Sequence, residues 1–280
     1  MSPRQDRALG YRPWWSGVWG LSLWALTIGC TPKSECESGP LSLSCPAHHV
    51  VVLERDIYFS APSSRPPSEG YPVVMLFQGA FVAAGTFWDA PRLAPRGMAH
   101  QVELTRELLE AGFLVLTPET LGEGLTAWNT NLPQWVDDWD SSPDALLMEA
   151  IFACLEEGLF GPVDLSRVHA GGISSGGYMT SRLAIRWPER LASVVVASGS
   201  YATCAGGLCD VPETLDPAHP TTLFLHGALD LIVPRATMED YADALELAGV
   251  EVEKEIAWAG GHGWRSDAPR HIRKWVEQEQ

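Results

Sequence analysis

The chain has 280 residues, 46 % of them apolar and 19 % charged, and carries a formal net charge of -16. That composition is globular and long enough for one large core. The acidic balance argues against nucleic acid and against charge-driven binding to anionic surfaces, and it favours neutral or cationic ligands.

Residues 1–29 stand apart from the rest. Arg4, Arg7 and Arg12 lead into the apolar stretch from Trp14 to Ile28, broken by single Ser and Gly residues. A positive segment followed by a short apolar one reads as an export signal, shorter than the roughly 20 residues of a membrane span. The stretch ends Leu26-Thr27-Ile28-Gly29-Cys30 before the polar Thr31-Pro32-Lys33-Ser34-Glu35. It resembles a bacterial lipoprotein signal with Cys30 as the lipidated residue, although Thr27 stands where leucine is usual. Release as a free secreted protein and retention as an uncleaved anchor are the alternatives. Membrane association is expected through that N-terminal anchor alone.

Residues 30–49 are rich in Pro, Ser and Cys and read as a tether. From residue 50 to 280 strands alternate with helices. Val50–Phe59 reads as a strand, Tyr71–Phe77 as another, Ala99–Ala111 as a helix and Phe113–Thr117 as a strand. Asp144–Glu157 is helical, with Pro143 at its start. Arg167–Gly171 is a short strand, Tyr178–Ile185 a helix and Leu191–Ala197 a strand. Thr222–Gly227 and Val250–Trp258 are strands, and Arg235–Ala248 and Ser266–Gln278 are helices. Apolar, β-branched strands between helices predict an α/β fold whose mostly parallel sheet has helices on both faces. No segment is long enough for a large lid domain.

Export makes disulfides possible. Cys204 and Cys209 flank Ala205–Leu208 and are placed to staple a loop, as are Cys36 and Cys45 near the N-terminus. Cys154, in an apolar helix, reads as a buried free thiol. No Cys/His spacing matches a zinc site.

The chemistry concentrates in three places. Gly172-Ile173-Ser174-Ser175-Gly176 reads Gly-x-Ser-x-Gly at a strand-to-helix junction, the pattern of a nucleophile elbow with Ser174 as the reactive serine. A serine hydroxyl needs a base to take its proton and a third group to orient that base. Asp230, in the loop after the strand that ends His226-Gly227, and His262, within Gly260-Gly261-His262-Gly263-Trp264, supply them in the order Ser, Asp, His.

From about Val50 to the C-terminus the chain resembles the α/β-hydrolase superfamily. Gly171–Met179 looks like the elbow of secreted polyhydroxybutyrate depolymerases and of related feruloyl and acetylxylan esterases. Leu225–Pro234 is similar to their acid loop and Gly260–Trp264 to their histidine loop. The resemblance implies Ser174 as nucleophile, Asp230 as acid and His262 as base. Such enzymes usually carry His-Gly after the strand that precedes the first helix; here the strand Tyr71–Phe77 runs into Gln78-Gly79-Ala80-Phe81. The chemistry at that turn needs backbone N–H groups aimed at an oxyanion. The donors expected are Ala80, or else Phe81 or the next residue, together with Ser175 at the start of the helix after the elbow.

The long loop from Glu119 to Ser142 holds Trp128, Trp135 and Trp139 with Asp137, Asp138 and Asp140. Its tryptophans either wall a substrate site or pack the loop onto the sheet. Trp128, Tyr201, Phe81 and Trp264 are the candidate substrate contacts. The reading is an exported serine esterase that needs no cofactor or metal and acts on polyhydroxyalkanoate oligomers or on acyl or feruloyl esters of polysaccharides. A prolyl-oligopeptidase-like peptidase, an acyltransferase and a non-catalytic binding module are its rivals.

Overall fold

The computed structural model describes residues 35–122 and 126–279. The export segment and Cys30 lie outside the described residues. In chain order the strands are β1 (Glu37–Ser38), β2 (Ser42–Ser44), β3 (His48–Val52), β4 (Arg55–Ser60), β5 (Tyr71–Phe77), β6 (Asp89–Pro91), β7 (Leu114–Pro118), β8 (Val163–Ile173), β9 (Ser193–Ala197), β10 (Thr221–Gly227) and β11 (Val252–Ala257). The helices are α1 (Ala99–Glu110), α2 (Pro143–Glu156), α3 (Ser175–Arg186), α4 (Arg235–Leu247) and α5 (Ala268–Gln278).

Eight strands form one sheet in the order β3-β4-β7-β5-β8-β9-β10-β11. The pairs β3–β4 and β4–β7 are antiparallel, and all later neighbours are parallel. Every residue of β5, β7 and β9 is buried, as a sheet covered on both faces requires. Side chains alternate between faces along a strand, and β5 shows it. Val73, Met75 and Phe77 enter a core with α2 and α3, whereas Val74 and Leu76 enter another with α1 and α5. Helix α4 closes a third cluster over Val196 and Phe224. The α/β architecture expected from the sequence is therefore present, with no large extra domain among the described residues.

Two departures from the sequence reading change the topology. Val50–Phe59 is not one strand but parts of two: Leu53 and Glu54 both take positive φ, 47° and 63°. That two-residue turn folds β3 back on β4 as a hairpin. Residues 37–49, expected within a tether, are folded onto the body. Here β2 pairs with both β1 and β6, Leu43 is buried, and a disulfide joins Cys36 to Cys45. A second disulfide joins Cys204 to Cys209. Cys154 is free but half-buried rather than buried, since it lies at the edge of the α2 core face.

Candidate active site

Strand β8 ends at Ile173 and α3 begins at Ser175, leaving Ser174 alone at the junction with φ 55° and ψ -119°. A non-glycine residue pays for such a conformation in strain. The surrounding glycines make the turn possible. A Cβ on Gly172 would sit 2.4 Å from the Gly176 carbonyl oxygen, and one on Gly176 only 2.1 Å from that of Phe77. The Ser174 N–H donates to the Ala197 carbonyl at 2.9 Å, tying the elbow to the end of β9.

Two loops at the same end of the sheet meet this serine. His262 Nε2 lies 2.9 Å from Ser174 Oγ, and His262 Nδ1 lies 2.8 Å from Asp230 Oδ2. An ionised carboxylate only accepts, so Nδ1 carries the proton, and in the neutral imidazole Nε2 is free to accept from the serine hydroxyl. The other oxygen of Asp230 accepts from the N–H groups of Ile232 and Val233, each at 2.9 Å. Burial works to raise the Asp230 pKa, but the His262 hydrogen bond and the Val233 and Ile232 amides outweigh it and hold the carboxyl below its ordinary value.

Sequence reasoning missed the support behind these groups. His226 is fully buried, donates from Nε2 to the Val233 carbonyl at 2.9 Å and lies 3.6 Å from Asp230. Burial lowers its pKa, which keeps it neutral behind the acid loop. Its place at the end of a strand, four residues before Asp230, was the available signal. The histidine loop is held from the other side: the Trp264 N–H donates to the Arg96 carbonyl at 2.9 Å.

A cavity of about 440 Å³ opens beside Ser174 and His262, with Phe81, Val82, Met98, Ile173 and Trp264 as apolar walls. Ala80 also lines it. The Ser175 N–H is the first amide of α3, where no intrahelical acceptor exists. The Phe81 N–H donates to the Thr126 carbonyl at 3.0 Å and is taken up there, which leaves Ala80 and Val82 as the candidate donors on this turn.

Of the four candidate substrate contacts, Phe81 and Trp264 reach the cavity and two do not. Trp128 is fully buried, edge-on to Phe77 at 5.2 Å, with Nε1 donating to the Gln78 carbonyl at 3.1 Å. Tyr201 packs against Tyr241 at 5.3 Å between ring centres, away from the cavity wall. Trp135 and Trp139 likewise pack against the core, so these loop tryptophans anchor the loop to the sheet rather than wall a substrate site. Asp140 pairs with Arg186 at 2.6 Å.

Gln78, in the place where histidine is usual, is fully buried and donates from Nε2 to Glu119 Oε1 at 2.7 Å. Burial raises the Glu119 pKa against the pull of the Ala84 and Thr120 amides. Among the described residues, Glu253, Glu255 and His271 bring metal-ligand atoms within reach of one another. They lie outside the cavity, and His271 already meets Glu255 at 3.4 Å.

No family model matches the chain. It is 36 % identical over 251 residues to a poly(3-hydroxyoctanoate) depolymerase of Pseudomonas fluorescens, covering 88 % of this chain and 89 % of that protein. Among solved structures it is similar to the Bacillus cereus carboxylesterase, with a TM-score of 0.57 at 16 % identity over 81 % of this chain and 96 % of the other. It is equally similar to MGS-M1, an α/β hydrolase from a deep-sea metagenome, with a TM-score of 0.57 at 14 % identity over 84 % and 98 %. An acylaminoacyl peptidase matches with a TM-score of 0.54 at 17 % identity, but over 84 % of this chain and 40 % of the peptidase. At these identities the structural likenesses show the fold.

Proposed function

Because the chain belongs to the α/β-hydrolase family that includes poly(3-hydroxyoctanoate) depolymerase, we propose that this hydrolase cleaves carboxylic esters through an acyl-enzyme on Ser174. The observation that carries the reading is the continuous hydrogen-bonded chain from Asp230 through His262 to Ser174 at the wall of an apolar cavity. His262 Nε2 takes the Ser174 proton as Oγ bonds to the ester carbonyl carbon. The carbonyl oxygen becomes an oxyanion facing the Ala80 and Ser175 amides. The C–O bond to the leaving group then breaks, and His262 returns the proton to the departing alcohol. Water repeats the sequence and frees Ser174. Asp230 holds the imidazole in the tautomer this requires. No cofactor enters the scheme.

Apolar walls at Phe81, Val82, Met98 and Trp264 suit an aliphatic acyl chain, so hydroxyalkanoate oligomers are the favoured substrates over feruloyl or acetyl esters of polysaccharides. Export is supported by the arginine-led apolar segment at residues 4–28 and by two disulfides. Cys30 is the proposed lipid attachment site.

The test is hydrolysis of p-nitrophenyl acetate, butyrate and octanoate, methyl ferulate, a 3-hydroxyoctanoate oligomer and an aminoacyl-proline amide, by the parent and by Ser174→Ala. Ester turnover that falls more than about 10³-fold in the variant supports the serine mechanism. Undiminished turnover in Ser174→Ala overturns it, and turnover of the amide alone makes the protein a peptidase. Transfer of the acyl group to added alcohol in preference to water would make it an acyltransferase.

A further inference from the structure

Gln78, Glu119 and Trp128, three buried residues that the reaction does not touch, connect the two proposed oxyanion donors. β5 and β7 are neighbours in the sheet, so Gln78 and Glu119, each one residue past its strand, emerge side by side. Glu119 Oε1 accepts from Gln78 Nε2 at 2.7 Å and from the Thr120 N–H at 2.8 Å, while Oε2 accepts from the Ala84 N–H at 2.7 Å. One carboxylate therefore grips the 78–84 turn at both ends, with Ala80 between them. Trp128 makes the second connection. Its Nε1 donates to the Gln78 carbonyl at 3.1 Å, and its backbone N–H donates to Ser175 Oγ at 2.9 Å. Trp128 thus bonds to the root of the turn that carries Ala80 and to the first residue of α3, whose amide is the other donor.

Resting on the serine-esterase reading above, we propose that Glu119 and Trp128 are positioning residues that set the spacing and direction of the Ala80 and Ser175 N–H groups. The turn needs such support, since Phe81 within it takes a positive φ of 61°. A turn free to relax from that conformation would carry the Ala80 amide with it. Oxyanion stabilisation depends on donors already aimed at the transition state, so a small displacement weakens the transition state more than substrate binding. Glu119→Gln puts an N–H₂ among donors, Trp128→Phe deletes the bond to Gln78 and keeps an aromatic ring, and Ser175→Ala deletes the bond to the Trp128 amide while keeping the Ser175 N–H.

The three variants are to be compared with the parent on p-nitrophenyl butyrate, with kcat counted per active site titrated by its acyl-enzyme burst. Inhibition by phenylboronic acid, which forms a tetrahedral anion on serine, and by butyrate, which forms none, is measured alongside. The proposal expects kcat per site to fall by about 10- to 100-fold, short of the about 10²- to 10³-fold loss of a whole oxyanion donor. KM and butyrate inhibition stay within about threefold. Phenylboronic acid affinity falls in step with kcat. Folded variants that keep kcat per site and boronate affinity within about twofold of the parent overturn the proposal. If Glu119→Gln and Trp128→Phe do not fold, Ser175→Ala decides alone by the same criteria. An active Ser174→Ala, with a parent that boronate does not inhibit, overturns the serine reading itself and is distinguishable from both results.

Discussion

Asp230 faces His262 with one carboxylate oxygen and the amides of Ile232 and Val233 with the other, so the same group that orients the imidazole also closes its own loop. Under the proposed mechanism, this double use links catalysis to stability.

Asp230→Asn leaves the size of the side chain but reverses the demand on His262 Nδ1, and kcat is expected to drop by about 10³- to 10⁴-fold, measured on p-nitrophenyl butyrate. The stability effect has a sign that pH reveals. The folded-state pKa of Asp230 lies below the ordinary 3.8. Its stabilisation is therefore complete well above pH 3.8 and is lost as pH falls through the folded value. The melting temperature of Asp230→Asn should lie below the parent's at neutral pH, and the gap should close under acid conditions. A constant gap across the titration would remove Asp230 as the cause.

Gly97 and Trp264 define how the histidine loop is seated. Gly97 has a φ of +72°, and a Cβ there would sit 2.2 Å from the Trp264 carbonyl oxygen. Gly97→Ala must both strain its own backbone and push the loop that carries His262. The expected result is destabilisation of more than about 1 kcal/mol by urea unfolding, together with a lower kcat. A stable variant with parent kcat would show that the loop seats itself without this contact.

Arg55 on β4 and Asp144 on α2 form a buried ion pair, with side chains 4 % and 1 % exposed. Asp144 also accepts from the Asn129 N–H at 2.5 Å, next to Trp128. Burial raises the Asp144 pKa despite Arg55 and that amide, so the pair does not fully offset its own desolvation. Arg55→Met should cost about 3–5 kcal/mol by leaving an unpaired charge, whereas the double variant Arg55→Met/Asp144→Leu should cost less than the sum. Urea denaturation of the single and double variants measures the difference.

Much of this protein was legible in its sequence, for a physical reason. Strand and helix follow local hydrophobic period, and the glycines at 172 and 176 announce an elbow because only a residue without Cβ fits where the elbow meets the end of β5. The order Ser174, Asp230, His262 could be read because each stands in a short loop after a recognisable strand. The hairpin at Leu53–Glu54 was not legible, since neither residue is a usual one for positive φ. Nor was the role of each aromatic residue: Trp264 lines the cavity and Trp128 is fully buried, though both are loop tryptophans. No period runs through a loop, so which way its side chains face is decided by what the sheet brings beside it. Glu119 is the clearest case. In the sequence it is a polar residue where a strand ends; in the fold, the adjacency of β5 and β7 makes it the carboxylate that holds Gln78 and Ala84. The chemical groups and their order were written locally, and their aim was decided by strand order, because hydrogen bonds across the sheet join residues that the chain itself keeps far apart.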